Sequence, residues 1–263
     1  MKIHSLTHSL GKTSFYALSC IIFSLSNLSA QDKSGFFLGL EGNLGQSTLS
    51  FASHLSANEF KNETSQKSHL SFDGGIKLGY QHYFDKEALG VAKAYGINLG
   101  IYAGAGLPIK NENPVFAKNG QSGHYYKTQF LPIRAGLDIN FLWDFWEKEK
   151  HALGLSLGAS YRFSYFLSQD NQENIFSSNG QLLPDAHSVH YADLMAHQFY
   201  PQIGLHYYYG HHQFGINYRF GGLLKFGSNT GKNKPFELAP DDIYLSTQFL
   251  ETSYVSFGYS YRF

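Results

Sequence analysis

Eight charged residues carry most of the chemistry this sequence could do: Glu41, Asp73, Lys77, Arg134, Asp138, Arg162, Arg219 and Arg262. Each stands on one side of a segment whose other side is apolar, mostly among glycines, serines and asparagines. Five are cationic and three anionic, so a surface collecting them would carry an excess of two positive charges. Charges gathered away from water must pair or stay hydrated, because an isolated buried ion is very unfavourable. The set can therefore lock into a net of charged hydrogen bonds, or line a narrow, weakly anion-preferring path.

Other chemistry is harder to assemble. Of the 13 histidines, His4 and His8 lie near the start of the chain, and His211-His212 falls between two alternating segments. His187, His190, Asp193 and His197 could collect a transition metal, since neutral imidazoles are good ligands. Their spacing fits no established motif, so no metal site is assigned. Serine, histidine and aspartate in the polar stretches follow from composition alone. No catalytic residue and no cofactor is assigned, and the chain is expected not to be an enzyme.

The elements that would position the eight charges are strands, because side chains in a strand point alternately to opposite faces. In Tyr254–Phe263, Val255, Phe257, Tyr259, Tyr261 and Phe263 fall on one side, while Tyr254, Ser256, Gly258, Ser260 and Arg262 fall on the other. Leu153, Leu155, Leu157, Ala159, Tyr161, Phe163 and Tyr165 oppose Gly154, Ser156, Gly158, Ser160, Arg162 and Ser164 in the same way. The pattern recurs with Phe214, Ile216, Tyr218 and Phe220, and again over 131–143. It predicts strands at 35–45, 70–84, 95–107, 125–143, 151–166, 197–209, 212–224 and 249–263. In a soluble sandwich the apolar face would look inward and carry compact aliphatics. Here that face ends in Tyr, Phe and Trp at both strand ends, as lipid-facing strands do.

The N-terminus agrees. Lys2 and Lys12 precede an apolar run over 15–25, and Leu28-Ser29-Ala30 offers a small-residue cleavage site, so residues 1–30 read as a secretory signal peptide. Ile21-Ile22-Phe23 carries the apolar run past Cys20, which argues against lipoprotein cleavage there. Cys20 is the single cysteine, so the mature chain would hold no disulfide. Removing two lysines and no acids leaves 18 basic against 20 acidic residues, a net of −2. No clustered basic surface suggests a nucleic-acid partner. Aromatics at 17% and 27 glycines are high, and charged residues at 15% are low against a usual figure of about 25%. No apolar run after residue 30 is long enough for a helical span, and a membrane strand must close into a barrel because lipid cannot satisfy a free sheet edge.

The connections alternate. Residues 46–69, 108–124, 167–196 and 225–248 are long and polar, whereas 85–94, 144–150 and 210–211 are short. Short periplasmic turns and long extracellular loops on an even number of strands are the outer-membrane pattern. Residues 31–263 thus read as an all-β, eight-stranded antiparallel up-and-down transmembrane β-barrel with both termini periplasmic. The charged set would fill its lumen, which at this strand number is only about wide enough for side chains. The expected role is structural and surface-exposed with a closed polar lumen. The alternatives are a narrow channel for ions or small solutes, or a surface adhesin binding a host or environmental ligand through the loops.

Several segments also resemble a known family. Gly79-Tyr80-Gln81-His82-Tyr83-Phe84-Asp85-Lys86 followed by Ala94-Tyr95-Gly96, the run Ala135 to Phe145, the stretch Phe199 to Phe220, and the aromatic ending at Phe263 are similar to Helicobacter-type outer-membrane proteins. The resemblance implies a surface-exposed protein of a Gram-negative outer membrane, in contact with its lipid, whose larger relatives include adhesins and porins. This chain has no large domain inserted ahead of the barrel and no cysteine pairs in its loops, so no binding residues carry over. Phe263 resembles the terminal aromatic read by the barrel-assembly machinery, which is the partner the likeness implies.

Overall fold

The computed structural model describes residues 33–54, 64–84, 94–116, 123–176, 187–188, 193–221, 224–226, 230–233 and 244–263. The expected signal segment lies outside them. Eight long strands form the wall: β1 (Gly35–His54), β2 (Thr64–Tyr83), β3 (Ala94–Gly106), β4 (Gly123–Lys148), β5 (His151–Phe176), β6 (Leu194–Tyr209), β7 (His212–Arg219) and β8 (Tyr244–Arg262). Each pairs antiparallel with the next. β8 returns to β1 in a register running from Phe37↔Arg262 to His54↔Tyr244, which closes the ring of eight strands. A closed ring leaves no unpaired edge. Four short strands extend the wall: Ile109–Phe116 on β4, His187–Ser188 on β5, Leu224–Phe226 on β6 and Thr230–Asn233 on β8.

The strands run further than the apolar alternation indicates. β1 and β2 leave only residues 55–63 between them, so most of the expected loop 46–69 is paired strand. The same holds for parts of 108–124, 167–196 and 225–248. The Ser, Thr and Gln of these ridges resemble loop composition, yet their backbones satisfy the ladder. Beyond the lipid, the outward face has no reason to be apolar. Leu107-Pro108 separates β3 from Ile109–Phe116, as expected of a residue without an N–H to give the ladder.

At the opposite end the turns are tight. Lys148↔His151 and Tyr209↔His212 enclose the pairs Glu149-Lys150 and Gly210-His211. Gly210 takes a φ of 59°, the left-handed region a glycine enters freely. Glu149 enters it at 53° despite its side chain.

The two faces separate as a membrane requires. Leu40 and Leu157 are 64% and 63% exposed, whereas Glu41 and Asp138 are 3% exposed. A water-soluble body has the reverse arrangement. Outward Leu38, Ile76, Leu78, Leu99, Ile101, Leu137, Ile139 and Ile216 form the aliphatic belt. Aromatic pairs occupy its margins: Phe36 with Tyr80 at 4.9 Å, Tyr161 with Phe199 at 5.1 Å, and Phe214 with Tyr259 at 5.3 Å between ring centres.

Replacing Leu137 by Arg places a charge on this belt. Urea unfolding in phospholipid vesicles should show a loss of about 2–4 kcal/mol if the residue lies near the bilayer midplane. The same change at His151, beside the tight turn, should have a much smaller effect.

Candidate functional site

The lumen is the site, and its middle is a single connected set of polar side chains. Alternation along each strand delivers them: Glu41 and Asn43 from β1, Asp73 and Lys77 from β2, Arg134, Asp138 and Asn140 from β4, Arg162 from β5, Gln202 from β6 and Arg219 from β7. Arg219 is fully buried and is the hub. Its Nη1 donates to Glu41 Oε1 at 2.7 Å and to Asn43 Oδ1 at 3.0 Å. Its Nη2 reaches Glu41 Oε2 at 3.2 Å and Asp138 Oδ2 at 3.3 Å, and its Nε donates to Gln202 Oε1 at 2.7 Å. Arg162 donates to Asp138 Oδ1 at 2.9 Å and to Glu41 Oε1 at 3.1 Å. Lys77 Nζ sits 2.7 Å from Asp138 Oδ2 and 3.2 Å from Glu41 Oε2. Two carboxylates are thus shared among three cations, and Arg219 holds Glu41 through both Nη atoms, the bidentate form that strengthens a charge-assisted bond.

A second group sits on the side of the long hairpins. Asp73 accepts from Asn43 Nδ2 at 2.8 Å, from the Tyr102 hydroxyl at 2.6 Å and from Arg134. Arg134 also donates to Glu251 on β8, whose other oxygen accepts from the Tyr200 hydroxyl at 3.2 Å. Asn43 joins the two groups. The arginines also lie over rings, Arg162 at 4.9 Å from the Tyr102 centre and Arg219 at 5.3 Å from that of Tyr254. Small residues make the room: a Cβ at Gly136 would run into the Arg162 guanidinium.

Seven of the eight charges singled out from the sequence meet in this net. Arg262 does not. It sits at the tight-turn end and donates to the carbonyls of Lys33 at 3.2 Å and Gly210 at 3.0 Å. Glu251 takes part instead, and alternation alone points it the wrong way. Between Gly45↔Tyr254 and Ser47↔Glu251 the register slips by one, so β8 carries one extra residue there. A bulge reverses which face successive residues take. Below it Tyr254 and Arg262 face inward; beyond it Phe249 and Glu251 do. With Glu251 in and Arg262 at the tight-turn end, the net itself sets four cations against four anions.

The lumen holds two further layers. Toward the long hairpins, Leu49, Phe51, Ile109, Phe130, Phe166, Leu194, Ala196 and Phe249 pack into an apolar cluster, with Phe166 and Phe249 ring centres 4.0 Å apart. Toward the tight turns, Asp144 accepts from Lys33, from the Tyr83 hydroxyl at 3.0 Å and from His206 Nε2 at 2.6 Å. Tyr208 closes this layer through Gln81 at 3.2 Å, and Gln81 donates to the Lys33 carbonyl.

Neither alternative chemistry finds a built site among the described residues. Asp193 accepts from the Tyr165 hydroxyl at 2.5 Å and from the Ser168 N–H at 2.8 Å, and His197 Nδ1 bonds the Tyr161 hydroxyl at 2.7 Å. Both are engaged with the β5 wall; His190 and the His187 side chain lie outside the description. Gly154-Leu155-Ser156-Leu157-Gly158 has the letters of the G-x-S-x-G nucleophile pattern, a match concealed by the strand alternation. It lies in mid-strand rather than at the strand–turn–helix elbow that makes the pattern reactive. Ser156 donates to Asn217 Oδ1 at 2.9 Å, and nearby His206 Nδ1 has no partner at all.

A closed antiparallel ring with an apolar exterior and a bonded polar interior defines a transmembrane β-barrel of the outer-membrane type. No family model and no curated protein matches the chain. Solved structures similar to it include small outer-membrane barrels. The attachment invasion locus protein Ail of Yersinia pestis is 13% identical, with a TM-score of 0.28, covering 87% of this chain and 99% of its own. OprG of Pseudomonas aeruginosa is 12% identical, with a TM-score of 0.39, covering 89% and 98%. The outer-membrane protease OmpT of Escherichia coli is 10% identical, with a TM-score of 0.33, covering 90% and 99%.

Removing the hub should expose its role. Arg219→Met leaves Glu41 and Asp138 short of a partner and should destabilise the folded barrel by about 3–5 kcal/mol, the usual effect of breaking a buried pair from one side. Adding Glu41→Gln should recover part of that loss in a urea double-mutant cycle. Strictly additive losses would mean that the two side chains act independently.

Proposed function

We propose that the protein is a structural, surface-exposed barrel of a Gram-negative outer membrane whose lumen stays closed. One observation carries this reading: the bore is occupied at three heights by groups bonded or packed to one another. The apolar cluster around Phe166 and Phe249, the balanced net around Arg219 and the Lys33–Asp144 layer stand in series along it. An ion crossing the barrel would have to dismantle all three. The middle layer is itself balanced in charge, so it gives an anion no preferred path through the net. The reading assigns no catalysis to the barrel.

In this reading residues 1–30 are removed, both ends of the mature chain and the tight turns face the periplasm, and the long hairpins face outward. The likeness of several hairpins to Helicobacter-type outer-membrane proteins supports the same placement. Lipid covers the aliphatic belt, and a host or environmental ligand would meet the outward connections, of which 220–243 between β7 and β8 is the longest. β8 is the strand offered to the barrel-assembly machinery. The N–H of Phe263 donates to the Phe36 carbonyl at 2.9 Å, and its ring meets that of Tyr261 at 5.4 Å.

Planar-bilayer recording of the purified, folded protein tests the closed lumen. The expected trace shows no discrete openings; reproducible unitary steps that change with Arg162→Ala would overturn the proposal. For assembly, deleting Phe263 should lower the yield of heat-modifiable barrel in cells while leaving refolding in detergent unchanged. Equal yields in cells would remove the recognition role.

A further inference from the structure

Between the Arg219 net and the Lys33–Asp144 layer the lumen opens into a chamber of about 60 Å³. That is room for a few waters, or for one small ion with water beside it. The space exists because β7 and β8 place two glycines side by side there, in the register Gly258↔Gly215. A Cβ at Gly258 would have only the Leu40 carbonyl oxygen as neighbour, at 3.9 Å.

The polarity of the chamber wall is set from outside it. Arg219 can only donate, so Gln202 Oε1 accepts from it. Gln202 must then offer its Nε2, which it gives to Asn140 Oδ1 at 2.6 Å. Asn140 is left with its amide N–H₂, and it lines the chamber. Two more lining amides are committed in the same sense. Asn217 Oδ1 accepts from Ser156 at 2.9 Å, and Gln213 Oε1 accepts from Ser260 at 3.3 Å. The ammonium of Lys77 adds a fourth donor on the chamber wall. The one carboxylate there, Glu41, is already held by Arg219, Arg162 and Lys77. Finally, His206 lines the chamber and is 3% exposed, and its Nδ1 has no protein partner. With Nε2 turned to the Asp144 carboxylate, a water in the chamber would complete the bonding of Nδ1.

We infer that this chamber is a binding site for a small monatomic anion of the halide class, held by Lys77 and the amide groups of Asn140, Asn217 and Gln213. Four donors turned toward one chamber match a compact anion, with a water beside it to meet the His206 ring. They match a cation poorly, since a cation needs oxygens turned inward. Binding needs no net positive charge in the lumen and no open pore, so it is separable from the closed-barrel reading.

Bromide is the probe. Crystals of the folded wild-type barrel grown in sodium bromide should give an anomalous peak between Lys77 Nζ and the Asn140 and Asn217 amides. A map with no peak in the chamber, or with water density alone, overturns the inference. In parallel, refolded protein in detergent should melt at a higher temperature in chloride than in gluconate of equal ionic strength. Gly258→Val, which fills the chamber without replacing any of its donors, should abolish both the peak and the chloride dependence while retaining the shifted band of a folded barrel. Chloride stabilisation that persists in Gly258→Val overturns the site. Should that variant fail to fold, the bromide map of the wild type decides alone.

Discussion

The barrel turns on one guanidinium. Arg219 projects from β7 and bonds Glu41 and Asn43 on β1, Asp138 on β4 and Gln202 on β6. From those partners the bonds continue to Arg162 on β5, Lys77 and Asp73 on β2, Tyr102 on β3 and, through Arg134, Glu251 on β8. Every strand of the ring contributes a member. Backbone ladders alone do not fix which residue faces which across a barrel, because a strand can slip and still pair. A slip of one residue here would turn charge toward lipid and phenylalanine toward the lumen. The net therefore specifies register as well as filling space, at the desolvation cost that any buried ionic set carries.

That burden is contained by balance and by bulk. Four cations and four anions offset one another, and a lumen glycine makes room where a long arginine lies. Gly136 shows the exchange: the volume its side chain would take is occupied by Arg162. The same economy of small residues near Gly215 and Gly258 leaves space with no arginine to fill it. The chamber is thus a by-product of the packing that the ions require.

Most of the wall was legible from sequence, because alternation over 131–143, 153–165 and 213–220 assigns faces without reference to any other strand. Seven of the lumen charges followed directly. Glu251 did not, since an extra residue in β8 reverses the alternation, and a bulge leaves no mark in composition. Arg262 lies on the predicted face, but too near the tight-turn end to reach a carboxylate of the net. The apolar cluster was equally hidden. Leu49, Phe51 and Phe249 sit on lumen-facing positions at a height that alternation does not report, in stretches whose Ser and Thr resemble loop. The Lys33–Asp144 layer joins residues far apart in the chain, and only three-dimensional closure brings them together.

The length of β4 and β5 has a consequence of its own. Each runs 26 residues, while a tilted strand crosses the hydrocarbon with about 9–11. Because both end in a tight turn, most of the surplus rises from the opposite rim, roughly 40 Å of wall at the usual rise and tilt. That wall is a palisade braced from within by its own phenylalanines. A large body approaching from that side meets paired backbone ridges well before it meets the bilayer, so the ridges, more than the belt, set its closest approach on that side.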